Sequence, residues 1–157
     1  MGKKSTFNAA KSGLTTFGLF FKDAVPEIGL DKALAIHASH GKLVGAGWAC
    51  MLKSELGGRK VNLAAWQRAF TKICDEVGIA PEFEKRRGTL TAKICDCPIY
   101  AGCIEAGLDH KTVELLCSQR LALEYEEVQK EFPQFSGRLK FRATPDEPCV
   151  EEFVILK

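Results

Sequence analysis

Three of the seven cysteines fall within one run, Ile94-Cys95-Asp96-Cys97-Pro98-Ile99-Tyr100-Ala101-Gly102-Cys103. Such thiols can be metal ligands, a nucleophile, disulfide partners or packing. Proline favours the first position of a helix, so Cys97 is expected to cap a helix that opens at Pro98. A helix start concentrates free N–H groups and partial positive charge. A thiol placed there can have its pKa lowered, and the thiolate is the form that attacks electrophiles and binds metals. The competing reading is a buried cysteine that packs where a strand meets a helix.

The remaining thiols are weaker signals taken singly. Cys95, two residues before Cys97, is expected on the same strand face, and the pair could chelate. Cys-x-Cys is nonetheless a poorer zinc signal than a repeated Cys-x-x-Cys. Cys103 lies one helical turn beyond Ile99 and reads as a small core residue that can also line a pocket. Cys117 falls on the apolar face of a long helix, and Cys149 opens the last strand. Cys50 and Cys74 sit among apolar helical neighbours and read as structural. An odd number of cysteines excludes a complete intramolecular disulfide framework. With no signal peptide in view the thiols are expected to be reduced.

His37 and His40 are three residues apart, and only His37 falls on an apolar stripe. It is the best candidate general base in the N-terminal half, although a buried histidine is more often a satisfied core group. His110, near a helix start, is expected to be solvated.

These residues need elements to hold them. Helical spacing is read over about 5–25, with Pro26 ending the run. A second helix is expected from Leu30 to Gly57-Gly58, with the stripe Leu30, Ala33, Leu34, His37, Gly41, Val44, Gly45, Trp48, Leu52. Gly41, Gly45 and Gly47 inside it each cost about 1 kcal/mol relative to alanine, which suggests close approach by another element or a ligand. Asn62 should cap a third helix, Leu63 to Val77, closed by Gly78. Alternation of Leu90, Ala92 and Ile94 with Thr89, Thr91 and Lys93 predicts a half-buried strand, with Glu82 to Arg86 as its hairpin partner. A short helix from Pro98 to Ala106 and a longer one from His110 to Phe132 should follow, the latter burying Val113, Cys117, Leu121, Tyr125 and Val128. Two alternating segments close the chain. In the first, Leu139, Phe141 and Ala143 are expected on one face with Arg138, Lys140 and Arg142 opposite. The sum is α+β: N-terminal helices packed on a small antiparallel sheet with two inserted helices, in a single domain over 1–157.

Composition narrows the function classes. The chain has 157 residues, 46% hydrophobic and 27% charged, with a net charge of +2, so nothing in it favours nucleic acid or an anionic membrane. The apolar cluster Leu14 to Phe21 is too short and too interrupted to span a bilayer, and a cytoplasmic protein is expected. Met1-Gly2-Lys3-Lys4-Ser5-Thr6 formally fits a myristoylation pattern, a short match that arises easily by chance. No phosphate-cradling loop, dinucleotide fingerprint or Gly-x-Ser-x-Gly occurs.

The runs "CDCPIYAGCIEAGL", "ELLCSQRLALEY" and "RLKFRATPDEPCVEEFVI", with "HASHGKLVGAGW" upstream, resemble the L-2-amino-thiazoline-4-carboxylic acid hydrolase-like family over about 30–157, leaving about 1–28 as an N-terminal helical segment. The resemblance rests on Cys-Pro-hydrophobic-Tyr, a Gly-Leu helix end, a Leu-Cys in the next helix and a terminal strand opening with cysteine. The positions of Cys97, Cys117 and Cys149 match that pattern, whereas Cys95 and Cys103 look like additions. More distantly the terminal part resembles the 4-vinyl reductase small-molecule-binding domain, some relatives of which hold zinc. Here Phe141 stands where a further cysteine ligand would be needed, the glutamate ligand is unmatched, and Asp146-Glu147-Pro148 replaces the usual Gly-Asp.

The resemblance implies hydrolysis of a C–N bond in a thiazoline-like or related cyclic compound, with a divalent metal such as zinc or manganese as the candidate cofactor. The expected site is a pocket on which Cys97, Cys117 and Cys149 converge. Cys97 would be nucleophile or metal ligand, Cys117 and Cys149 metal ligands or pocket wall, and His37 a proton carrier. Trp48, Tyr100 and Cys103 would contact substrate. The alternative is a non-catalytic module that binds or senses a small molecule, a tetrapyrrole or a metal. A third reading is a purely structural cysteine-rich core. The expected partners are a small-molecule ligand and a second copy of the chain.

Overall fold

The computed structural model describes residues 2–156. Met1, which begins the myristoylation-like opening, and Lys157 lie outside the described residues.

Two long helices come first, α1 (Lys3–Ile28) and α2 (Leu30–Leu56), joined at Gly29. Pro26 lies inside the last turn of α1 and does not end it. A proline removes its own N–H bond but leaves later N–H groups free to continue. The Gly29 N–H accordingly reaches the Val25 carbonyl at 2.9 Å, and the break comes only at Gly29, with φ 84°. Gly57, with φ 54°, ends α2 in a left-handed cap.

The third helix, α3 (Leu63–Glu76), starts where Asn62 accepts the Ala65 N–H at 2.9 Å. It buries Leu63, Trp66, Phe70 and Cys74, one face at helical spacing. The strands β1 (Glu82–Arg86) and β2 (Thr89–Ile94) form a hairpin across Arg87 and Gly88. Both turn residues have positive φ, the two-residue geometry that matches strand twist. Helices α4 (Pro98–Glu105) and α5 (His110–Glu131) follow, and Asp109 caps α5 by accepting the Thr112 N–H at 2.9 Å. The chain ends with β3 (Phe135–Lys140) and β4 (Cys149–Ile155).

The four strands form one sheet in the order β1-β2-β4-β3, antiparallel throughout. The helices α4 and α5 are inserted between β2 and β3, so the architecture is the expected α+β. Leu90, Ala92 and Ile94 on β2, and Cys149, Glu151 and Phe153 on β4, turn toward the helices. The opposite face carries Glu84, Lys93, Arg138 and Glu152, with an Arg138–Glu152 ion pair.

The expected alternation holds from Arg138 to Phe141, with Leu139 and Phe141 half-buried and Arg138 and Lys140 exposed, and is reversed at the next two positions. Ala143 is exposed and Arg142 is buried, at 5% exposure. Pairing with β4 stops at Lys140, which frees the chain to turn the Arg142 guanidinium inward. There it donates to the carbonyls of Ile94 (3.1 Å), Cys95 (2.9 Å) and Pro145 (3.0 Å).

Two of the three helix glycines behave as expected. A Cβ on Gly41 would come within 2.6 Å of the Arg120 carbonyl oxygen, and one on Gly45 within 2.4 Å of that of Glu124. The backbones of α2 and α5 therefore touch. Gly47 meets nothing within 4 Å, so no close approach explains it.

Two apolar clusters result. One joins α2, α3, α5 and the sheet around Trp66, Phe70, Tyr125 and Phe153. The other joins α1, α2, α4 and α5 around Phe21, Leu34, Cys103 and Leu116. Cys97 and Phe141 pack against both. No helix among the described residues is long and apolar enough to cross a membrane.

Candidate functional site

A cavity of about 320 Å³ lies where the two clusters meet. Its wall is mostly aliphatic and aromatic, with Phe17 from α1, Trp48 from α2, Phe70 from α3 and Leu121 from α5 among the contributors. Cys97, Cys117 and Cys149 all line it, as do Cys103, His37 and Trp48. Cys74, expected to be merely structural, is also in the wall, and the exposed Glu76 stands at its rim.

Tyr100 is the expected pocket residue that does not line the cavity. Its ring lies under the Arg142 guanidinium, 4.5 Å from centroid to carbon, and its hydroxyl meets His110 Nδ1 at 3.1 Å. His110 is half-buried rather than solvated, because its other nitrogen meets the Arg142 carbonyl oxygen at 3.1 Å. A carbonyl only accepts, so Nε2 of a neutral ring carries the proton and Nδ1 accepts from Tyr100.

Cys97 does cap α4, with Pro98 at the first helical position. The expected activation does not follow. Burial pushes the Cys97 thiol up to about 11, against the opposing pull of the Tyr100 and Ile99 amides. The helix start acts on this sulfur, but desolvation outweighs it. Burial also raises Cys103 to about 11 and lifts Cys74 and Cys117 above the ordinary thiol range. At neutral pH these four thiols are protonated. Cys95 is exposed just beyond the end of β2 and does not share the inward side of Cys97.

The metal implied by the family resemblance does not fit. Cys97, Cys117 and Cys149 share a wall, but among the described residues no three His, Cys, Asp or Glu side chains form a group able to hold a metal ion.

His37 lies against Phe17, ring centroids 4.8 Å apart. Burial first, and then the charges of Arg120 and His40, together lower its pKa to about 4. The imidazole is therefore neutral at pH 7. It is too weak a base to take a proton efficiently there, which goes against its expected role.

Besides the exposed Glu76 at the rim, the ionisable groups of the wall that sequence spacing did not bring out are Glu151, Glu124 and Arg120. Glu124 pairs with Arg120 at 2.6 Å across one helical turn. Burial raises the Glu124 carboxyl, opposed by that guanidinium. Glu151 is buried and accepts the Tyr125 hydroxyl. Burial lifts it to about 7; the Tyr125 hydrogen bond pulls it down and the charge of Glu124 pushes it up. A carboxyl near neutrality can give or take a proton under physiological conditions. The missed signal was present: Cys149, Glu151 and Phe153 occupy one parity of the last strand, so a glutamate shares the side of its apolar neighbours. Glu124 likewise lies seven residues after Cys117, on the same helical stripe.

No family model, no curated protein and no solved structure matches the chain.

Proposed function

We propose that the protein binds a small, largely apolar molecule inside this cavity. The observation that carries the reading is the cavity itself: about 320 Å³, walled by aliphatic and aromatic side chains from α1, α2, α3, α5 and the sheet. Ligand sites are typically concave, mostly apolar and furnished with a few polar groups that fix orientation. Protonated thiols suit such a wall, since they pack as small, polarisable, weakly polar groups.

The test is ligand-induced stabilisation. A panel of apolar small molecules, indole and naphthalene among them, should raise the melting temperature in a concentration-dependent way and change the fluorescence of Trp48. Leu121→Trp, which fills the cavity, should abolish both effects while the protein remains folded. If no member of a broad panel raises the melting temperature of the wild-type protein, the reading fails. An absorbance spectrum of the protein as purified separates a tetrapyrrole from a colourless ligand.

A second reading has one observation in its favour. Glu151, poised near pH 7 in the cavity wall, is suited to take a proton from water as that water adds to the ring carbon of a thiazoline-like compound. The protonated Glu151 would then return that proton to the ring nitrogen as the C–N bond breaks, completing hydrolysis without Cys97 thiolate. Turnover of a thiazoline substrate, and its loss in Glu151→Gln, is the corresponding measurement.

A further inference from the structure

Apart from Glu76, which stands exposed to water at the rim, the ionisable groups of the cavity wall are not equally matched. The Arg120 guanidinium is paired with Glu124 at 2.6 Å. His37 is held neutral, packed on Phe17. Cys74, Cys97, Cys103 and Cys117 are held protonated by burial. Glu151 differs: it is 5% exposed, lines the cavity, and among the described residues no lysine, arginine or histidine pairs with it. Its one hydrogen-bond partner is the Tyr125 hydroxyl, and the other titratable groups acting on or from it are Glu124 on α5 and Cys74 on α3, neither of them a cation.

A buried carboxylate without a countercharge is expensive. Tyr125 supplies one donor, and a carboxylate has room for more. In surroundings of low dielectric, a cation beside Glu151 would interact more strongly than it does in water. Among the described residues the one arginine of the wall, Arg120, is paired with Glu124, and no other cation there faces Glu151, so a ligand can supply one.

We infer that the molecule bound here is an apolar amine, whose cationic nitrogen pairs with Glu151 while its hydrocarbon lies along the aliphatic and aromatic wall. The inference rests on the cavity being a ligand site. An anionic ligand is disfavoured, because Arg120 is already neutralised by Glu124 and Glu151 would repel a second carboxylate. A neutral alcohol of the same shape can hydrogen-bond but brings no countercharge.

The test is isothermal titration of the full chain at pH 8 with 2-phenylethylamine, 2-phenylethanol and 3-phenylpropanoate. The amine should bind at least about tenfold more tightly than the alcohol, the margin typical of a charged over a neutral hydrogen bond. The acid should be weakest. In Glu151→Gln the amine should fall to the level of the alcohol, with alcohol binding unchanged. Should that variant not fold, Glu151→Asp keeps the charge but withdraws it by one methylene, and it should weaken the amine selectively. Equal affinity of the wild-type protein for amine and alcohol, or a preference that survives Glu151→Gln, overturns the amine assignment and leaves the ligand cavity standing. Failure of all three probes to bind, together with failure of the apolar panel, overturns the cavity reading and this inference with it.

Discussion

The hydroxyl of Tyr125 on α5 donates its hydrogen bond to the Glu151 carboxyl on β4, and both residues are buried. The contact ties the long helix to the centre of the sheet through a group that is costly to ionise. Burial raises the carboxyl from 4.5 to about 7, so the folded chain holds this proton more tightly than the unfolded chain does. Stability from this group is therefore fully present below about pH 4.5 and is lost as pH rises through about 7. The loss is on the order of 3 kcal/mol at most. Urea unfolding of the wild-type protein and Glu151→Gln at pH 5 and pH 8 checks it. The wild-type protein should weaken across that interval relative to the variant, and Glu151→Gln should be the more stable of the two at pH 8. A parallel pH response in both proteins would show that Glu151 ionises freely.

His37 works in the opposite direction. Its folded pKa of about 4 lies below the ordinary histidine value of 6.5 because burial disfavours the imidazolium. Stability from this group is fully present above about pH 6.5 and is lost as pH falls through about 4. Proton NMR of the imidazole should show no titration of His37 between pH 8 and pH 5. A midpoint near 6.5 would mean that the ring stands in water.

The thiols should separate by exposure rather than by helix position. Cys50 and Cys95 are exposed, whereas Cys74, Cys103 and Cys149 are buried, and Cys97 and Cys117 face the internal cavity. Ellman's reagent at pH 8 should modify Cys50 and Cys95 quickly in the native protein, with the others reacting only on unfolding. Peptide mapping identifies the sites. Rapid labelling of Cys97 at pH 7 would restore the activated-thiolate reading, because it requires the α4 start to outweigh desolvation.

Gly45 and Gly47 offer a matched pair. A Cβ at position 45 would sit 2.4 Å from the Glu124 carbonyl oxygen, a backbone atom that cannot swing aside. Gly45→Ala should destabilise by about 1–3 kcal/mol through overpacking and should disturb the Arg120–Glu124 pair. Gly47→Ala meets open space and should stabilise by up to about 1 kcal/mol through helix propensity. Thermal unfolding of the two variants reads both effects, and similar melting temperatures would contradict the close α2–α5 contact.

The elements were legible wherever local rules act alone. The Asn62 cap, the left-handed Gly57, the hairpin across Arg87 and Gly88 and the Pro98 helix start all follow from backbone chemistry within a few residues. Cys97, Cys117 and Cys149 all line the cavity, but the expectation that they would meet came from the family resemblance and not from local rules, which placed only Cys117 on an apolar face. What local rules did not supply was the balance of opposing effects at depth. Cys97 has the helix start that favours thiolate, but its burial comes from α5 and β4, which are distant in sequence. Pro26 was over-read as a stop, since one missing N–H does not prevent the next residues from bonding. Arg142 was assigned outward because strand alternation was extended two residues past the last paired position, Lys140.

That misassigned arginine carries the last prediction. Arg142 is buried, and its guanidinium donates to three carbonyls, those of Ile94 in β2, Cys95 just after it and Pro145 in the 143–147 turn. Its Nε–H also reaches Cys149 Sγ at 3.4 Å, and its face covers the Tyr100 ring. Arg142→Leu removes every donor and leaves the buried Ile94 carbonyl without its guanidinium partner, while the carbonyls of Cys95 and Pro145 are only part-buried, so it should cost about 1–3 kcal/mol. Arg142→Lys keeps the charge but lacks the planar fork that serves several acceptors at once, and should recover only part of that loss. The His110 contact is made to the Arg142 backbone carbonyl, so the Tyr100–His110 link should survive both substitutions. Denaturant unfolding ranks the three proteins, with wild type above Lys above Leu. Hydrogen exchange at the end of β2 should quicken in the same order. If Arg142→Leu unfolds like the wild-type protein, those carbonyls have found water, and the guanidinium is not what closes this end of the sheet.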